Sequence, residues 1–130
     1  MSLRSRSADE LALAETAKRV LPGGFGNAPY DVVIARGAGG RVTDVSGNTY
    51  IDFLLGSGPM LLGHAHAEIV AAVQEQVVLG TTFYTGTPHG IRLAQMIVDA
   101  VPCAEQLRFT GTGSEATFFA MRVARAYRRR

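Results

Sequence analysis

The segment over residues 107–130 constrains the fold most, because a short apolar run, a glycine-flanked turn and a long amphipathic pattern follow one another within it. This order predicts a short strand over residues 107–110, a tight turn at Thr112, and a helix from Ser114 onward. A helix that starts behind a glycine turn presents unpaired N–H groups and the positive end of its dipole at one point. The segment therefore predicts an anion site, and the hydroxyl groups of Thr112 and Ser114 favour a phosphate monoester.

Three interpretations of this turn remain open. Residues 112–115 fit the S/T-x-x-E capping box, which satisfies a helix N-terminus without any ligand. Gly111, Gly113 and Ala116 also match the spacing G-x-G-x-x-A, although a dinucleotide fingerprint should follow the first strand of a βαβ unit. The third interpretation is a site for a phosphate-bearing cofactor. A Walker loop is excluded, because no lysine follows the glycines.

Composition excludes several classes of protein. The chain has 130 residues, 47% of them hydrophobic, and a mean hydropathy of +0.12, which is typical of one globular domain with a core. A net charge of +2 is too small for a nucleic-acid surface. No apolar run approaches the roughly 20 residues of a membrane span. The single cysteine, Cys103, rules out an intrachain disulfide and favours a cytoplasmic location.

The remaining patterns predict an α/β protein that opens with a small antiparallel element. A helix is expected over residues 9–20, and a β-hairpin is expected to turn at residues 46–48. Apolar residues at helical spacing predict two further helices, over residues 67–79 and 91–101. Helices and strands then alternate, as they do at the beginning of an α/β domain.

Five motifs, in this order and at these separations, resemble the N-terminal part of the class III (ω-type) pyridoxal-phosphate aminotransferase family, and in particular its glutamate-1-semialdehyde aminomutase branch. The motifs are LPGG, GRVTDVSGNTYIDF, GPMLLGHAH, AQMIVDAVP and LRFTGTGSEATFFAMRVARAY. The resemblance implies a fold type I transferase, in which an N-terminal helix and a small antiparallel β element lead into the large domain. We accordingly expect a tail over residues 1–7, an N-terminal segment over residues 8–63, and the truncated beginning of the large cofactor-binding domain over residues 64–130.

The same resemblance assigns a ligand to the glycine turn. In the family, the matching residues hold the phosphate of pyridoxal 5'-phosphate, so Gly113 and Ser114 would be the principal donors and Thr112 would lie close by. The resemblance also implies small-molecule amino donors and acceptors and a homodimer. Phe83 and Tyr84 lie in a loop that, in the family, often approaches the partner subunit.

The resemblance further implies a lysine that forms a Schiff base with the cofactor, together with an aspartate and a stacked aromatic ring. In the family all three lie downstream of the helix that begins at the glycine turn. The one lysine of this chain, Lys18, lies in a different element, so we assign no catalytic residue and expect the 130-residue chain alone to be inactive. The alternative is a non-catalytic phosphate-binding or dimerisation module derived from the same fold.

Two positions are expected to lie next to the substrate. Ser57 stands where aminomutases usually carry a tryptophan, and the loop after Gly24 also differs from the usual pattern. An aminotransferase for another amino acid or amine therefore stays open beside the aminomutase. His64 and His66 are predicted to pack in a loop rather than to bind a metal, and turn or edge roles in the hairpin, rather than acid/base roles, are predicted for Asp44 and Asp52.

Overall fold

The computed structural model describes residues 4–21 and 32–129. The chain divides into two compact units, Met1–Thr81 and Thr82–Arg130. Compactness alone does not assign segments to the domains of a larger protein, so the expected division after residue 63 stays a prediction. Among the described residues, the structure contains no helix of the length and hydrophobicity that crossing a membrane requires.

The first unit begins with helix α1, Ala8–Val20, which confirms the helix predicted over residues 9–20. Ser7 caps it, because the Ser7 Oγ accepts a hydrogen bond of 3.2 Å from the Glu10 N–H. Acidic residues lie in the first turn and basic residues in the last, an arrangement that the helix dipole favours.

Three short strands form one antiparallel sheet in the order β1-β2-β3. They are β1, Ile34–Ala38; β2, Arg41–Asp44; and β3, Thr49–Ile51. The turn between β2 and β3 is closed by Asp44, whose Oδ1 accepts a 2.8 Å hydrogen bond from the Asn48 N–H, and Gly47 supplies a positive φ of 88°. The predicted hairpin is confirmed, as is the predicted turn role of Asp44.

Helix α2, Ala67–Val77, also lies in the first unit. The second unit contains helix α3, Pro88–Ala100, and helix α4, Gly113–Arg128. Thr87 caps α3 by accepting a 3.2 Å hydrogen bond from the Gly90 N–H, and Pro88 takes the first helical position, where its missing N–H costs nothing. All three helices match the predicted periodicity to within a few residues at their ends.

The strand predicted over residues 107–110 is wrong, since this segment forms no strand. A strand is defined by hydrogen bonds to a neighbour, and the described part of the second unit offers this segment no partner strand. Its contact is with α4 instead. The Arg108 guanidinium lies 4.4 Å from the centroid of the half-buried Phe119 ring, in a cation–π arrangement.

Residues 4–7, expected to belong to a tail, have specific partners. The Arg4 guanidinium bonds to Glu10 and lies 2.9 Å from Asp44 Oδ2, and both carboxylates are buried. Burial raises the pKa of Asp44, but hydrogen bonds from Tyr50 and Asn48 and the charge of Arg4 outweigh it, so the pKa lies below its usual value. Burial and the bond to Asp44 raise the pKa of Tyr50. Buried carboxylates require a cation, and Arg4 supplies it.

Buried side chains are few among the described residues. They are Glu10, Ala14 and Ala17 on one face of α1, and Asp44 at the end of β2. The apolar stripes of the other helices remain open: Val73 on α2 is 55% exposed and Val123 on α4 is 68% exposed. Polar contacts rather than a large apolar core thus define the local geometry of the first unit.

Candidate functional site

The turn for which the sequence predicts an anion site lies at the N-terminus of α4. Thr112 has the extended backbone of a cap residue, and its Oγ1 accepts a 3.1 Å hydrogen bond from the Glu115 N–H. The Thr112 hydroxyl also donates to the Glu115 carboxylate across 3.4 Å. The capping interpretation of residues 112–115 is therefore confirmed in its first half, and Thr112 uses its hydroxyl within the cap.

The cap leaves two donors at the end of the helix. Gly113, Ser114 and Glu115 occupy the first three helical positions, whose N–H groups have no acceptor within the helix. Thr112 satisfies only the third of these groups. No described residue accepts a hydrogen bond from the N–H of Gly113 or Ser114. Capping and anion binding are thus compatible at this turn.

Access to these donors is open. The turn is exposed, and a Cβ built on Gly113 would meet nothing within 4 Å. On the other side of the turn, the Glu115 carboxylate lies 3.0 Å from the position that a Cβ of Gly111 would take. The donor set fits a phosphate group, since N–H groups at a helix N-terminus and a serine hydroxyl are typical phosphate ligands. The dinucleotide interpretation loses its support, because residues 107–110, which lead directly into the turn, form no strand.

Ser57, the predicted substrate-adjacent residue, lies in a loop of the first unit with an uncommon backbone. Leu55, Gly56, Ser57 and Gly58 have φ values of 46°, 69°, 67° and 113°. Left-handed backbone costs an L-residue about 1–2 kcal/mol, so Leu55 and Ser57 are held against an intrinsic preference. The side chain of Ser57 is exposed. Gly24, the other predicted position, lies outside the described residues.

A carboxylate and an imidazole join the two ends of this loop. His64 Nε2 lies 2.7 Å from Asp52 Oδ2, and Asp52 Oδ1 accepts hydrogen bonds from the backbone N–H groups of Leu54 and Leu55. The bond from His64 and the backbone bond from Leu55 lower the pKa of Asp52. The predicted turn role of Asp52 is confirmed. Its pairing with His64 was not predicted, because 12 positions separate the two residues and no local pattern relates them.

The other candidates behave as local structure. Lys18 lies on α1 and pairs with Glu15 across 2.8 Å, and this bond lowers the pKa of Glu15. His64 packs in the loop, as predicted. Within residues 4–21 and 32–129, no cluster of histidine, cysteine and acidic side chains has the geometry of a metal site.

Comparison with known proteins identifies the family of this chain. The profile of the Aminotransferase class-III family matches residues 25–130. The chain is 45% identical over 120 residues to the glutamate-1-semialdehyde 2,1-aminomutase of Methanothermobacter thermautotrophicus, and this match covers 88% of the chain and 29% of that relative. It is 44% identical over 126 residues to the aminomutase of Persephonella marina, with 90% of the chain and 29% of that relative covered.

Solved structures agree with the sequence comparison. An omega-transaminase from Sphaerobacter thermophilus superposes with a TM-score of 0.84 and 38% identity, over 95% of this chain and 30% of that one. A transaminase with PLP bound superposes with a TM-score of 0.86 and 38% identity, over 98% of this chain and 31% of that one. The chain therefore spans about 29% of the length of the curated relatives it matches. It belongs to the class III aminotransferase family and corresponds to an N-terminal part of the family's fold.

Proposed function

We propose that this chain is part of a pyridoxal-phosphate-dependent enzyme that transfers an amino group, and that Gly113 and Ser114 hold the phosphate of the cofactor. The observation that carries the proposal is the pair of N–H groups at the start of α4, which have no acceptor among the described residues and an open approach. Family membership and the similarity to a transaminase with PLP bound support the choice of cofactor. When bound, pyridoxal phosphate supplies the electron-withdrawing ring that amino-group chemistry requires.

Each residue of the turn has a separate task in this proposal. Gly113 and Ser114 donate their N–H groups to the phosphate, and the Ser114 hydroxyl adds a third donor. Thr112 keeps the helix end rigid, because its hydroxyl is engaged by Glu115. The positive end of the α4 dipole favours the negative charge of the phosphate.

The substrate is a small molecule that carries an amino group. The curated relatives are named as aminomutases, whereas the structural neighbours are named as transaminases. Ser57 leaves more space than the tryptophan usual in aminomutases, and this difference favours a transaminase that accepts another amino acid or amine. We place Gly24 and Ser57 next to the substrate on the strength of the resemblance alone.

Assembly, location and the activity of the chain by itself are also part of the proposal. A homodimer is supported by family resemblance and by the exposed aromatic side chains of Phe83 and Tyr84. A reducing, cytoplasmic location is supported by Cys103, the only cysteine, which is exposed and free. Since Lys18 is paired with Glu15 on α1, we expect the 130 residues alone to be inactive.

Binding of pyridoxamine phosphate, followed by its fluorescence, tests the phosphate site. Pyridoxamine phosphate forms no Schiff base with a lysine, so its affinity reports non-covalent contacts only. We expect it to bind at least tenfold more tightly than pyridoxamine, which lacks the phosphate. Ser114→Ala should weaken the binding of pyridoxamine phosphate and leave the affinity for pyridoxamine unchanged. Thr117→Val is the matched control, because it also removes a hydroxyl from the first turns of α4. That hydroxyl donates to the Gly113 carbonyl oxygen and is not one of the proposed phosphate donors. Equal affinities for the two compounds would contradict the proposed phosphate site.

The alternative, a non-catalytic phosphate-binding or dimerisation module, is separated from the enzyme by intact mass and amino transfer. A mass well above 13.8 kDa, together with amino transfer from a donor to a keto acid, supports the enzyme. A mass of 13.8 kDa with phosphate-dependent binding but no amino transfer supports the module.

A further inference from the structure

The loop that carries Ser57 is closed at its base by the turn between β1 and β2. The Asp52 N–H donates to the Gly40 carbonyl oxygen across 2.9 Å. At the other end, His64 exchanges two backbone hydrogen bonds of 2.8 and 2.9 Å with Gly39. Residues 53–63 thus leave and return at adjacent points, as in an Ω-loop.

Side-chain hydrogen bonds also connect the two ends of this loop. Asp52 Oδ1 accepts from the N–H groups of Leu54 and Leu55 at 2.9 and 3.0 Å, and Asp52 Oδ2 lies 2.7 Å from His64 Nε2. One carboxylate therefore connects the first residues of the loop with its last flanking residue. A carboxylate that accepts several hydrogen bonds holds its partners in one arrangement, since each bond involves a charged acceptor.

The backbone held in this way is left-handed over four consecutive residues. Two of them, Leu55 and Ser57, are not glycine. Such a conformation persists only where surrounding contacts over-determine it, and strain of this kind clusters at ligand sites. Asp52 supplies such contacts, and one of its hydrogen bonds reaches Leu55 itself.

We propose that Asp52 and His64 are positioning residues that hold this loop in the conformation presenting Ser57, and thereby set which amino substrates the protein accepts. The inference rests on the proposed function, in which Ser57 lies beside the substrate. Asp52 and His64 act through the backbone of Leu54 and Leu55, and neither needs to touch the substrate.

The packing of His64 offers a way to perturb the pair without changing either member. A Cβ on Gly37 would lie 2.6 Å from the Cγ and 2.8 Å from the Cβ of His64, so Gly37→Ala forces the His64 side chain or the backbone beside it to shift. Gly40→Ala is the matched control, because a Cβ there meets nothing within 4 Å and the carbonyl that accepts from Asp52 is retained.

The first measurement is residue-resolved hydrogen exchange of the purified protein. In Asp52→Ala, we expect exchange at the Leu54 and Leu55 amides to accelerate about tenfold or more, because each loses a charged acceptor. Asp52→Asn keeps an acceptor and should restore part of the protection. Gly37→Ala should accelerate exchange at the same amides, whereas Gly40→Ala should not. Unchanged exchange in both Asp52→Ala and Gly37→Ala overturns the proposal.

The second measurement compares amino donors of different size, alanine and phenylalanine, with the same substitutions made in the whole enzyme of which we propose this chain is a part. We expect the ratio of the two kcat/KM values to change by about tenfold in Asp52→Ala, mainly through KM, and to return toward the original ratio in Asp52→Asn. A merely structural defect lowers both values by one factor, and that result overturns the role in specificity. If the whole enzyme, without any substitution, transfers no amino group, the proposed function fails, and hydrogen exchange still decides whether Asp52 and His64 hold the loop.

Discussion

Replacing Gly113 by proline removes one backbone donor from the proposed phosphate site and leaves the helix intact. Proline is favoured at the first helical position, which Gly113 occupies, because the N–H there has no intrahelical partner. The preceding residue, Thr112, has φ −145° and ψ 158°, within the region that a residue before proline adopts. A Cβ at Gly113 meets no atom within 4 Å. The substitution is therefore compatible with the fold.

The expected loss of affinity follows from the single bond removed. A hydrogen bond to a charged group contributes about 1.5–3 kcal/mol. At about 1.4 kcal/mol for each factor of ten, Gly113→Pro should weaken pyridoxamine phosphate by about tenfold to a hundredfold. Affinity for pyridoxamine, which has no phosphate, should not change. The stability of the protein should not fall, since replacing glycine at a compatible position restricts the unfolded chain.

Gly113→Ala is the matched variant, because it adds a Cβ and keeps the N–H. The ratio of dissociation constants between the proline and alanine variants isolates the contribution of the N–H group from that of the added carbon. Fluorescence titration gives both constants, and a thermal unfolding curve confirms that each variant is folded. Equal affinities in the two variants, or an equal loss for both compounds, would refute the assignment of Gly113 as a phosphate donor.

Three further predictions concern the first unit. Arg4→Met removes the guanidinium that is hydrogen-bonded to the buried Glu10 carboxylate and leaves only Arg6, 4.0 Å away, so the free energy of unfolding measured in urea should fall by about 3 kcal/mol. Gly63→Ala places a Cβ 2.8 Å from the Gly39 carbonyl carbon at a φ of 78°, and the same measurement should show a loss of about 2 kcal/mol. Burial raises the pKa of Asp44, but its hydrogen bonds and the charge of Arg4 lower the pKa by more. The ionised Asp44 carboxylate therefore stabilises the protein above its unfolded-state pKa of about 3.8, and this stabilisation is lost as pH falls through the lower folded-state pKa. Asp44→Asn should remove that part of the acid dependence of the unfolding temperature.

Matched controls decide these three outcomes. Arg19→Met changes an exposed arginine on α1 and should leave the free energy of unfolding nearly unchanged. Gly40→Ala has open space around the added carbon and should do the same. Asp9→Asn alters an exposed carboxylate and should keep the acid dependence that Asp44→Asn removes. A variant that behaves like its control would contradict the contact from which its prediction was drawn.

Local signals in the sequence were sufficient for the helices and the hairpin. The pattern of α1, the turn at Gly47 and the start of α4 each depend on residues fewer than five positions apart, such as the bond from the Asn48 N–H to Asp44 and the bond from the Glu115 N–H to Thr112. Propensity, capping and turn chemistry act at that range. The capped turn at the start of α4 can therefore be located from the local sequence alone.

Longer-range pairs could not be located in this way. Arg4 reaches Asp44 across 40 positions, and His64 reaches Asp52 across 12, so neither pair leaves a periodic pattern. The strand predicted over residues 107–110 failed for a related reason: apolar sequence predicts extended backbone, but a strand also requires a neighbour, which local sequence does not supply.

These contacts explain how the first unit keeps a defined geometry although few of its side chains are buried. Glu10 and Asp44 converge on Arg4 from two different elements, and Asp52 converges with His64 on the base of the Ser57 loop. A buried or half-buried carboxylate loses favourable interactions if any partner moves, so it selects one arrangement more sharply than apolar contacts do. Hydrophobic contacts are non-directional and tolerate displacement. A loop with left-handed backbone needs directional contacts of this kind, and the Asp52 carboxylate supplies them directly to Leu54 and Leu55.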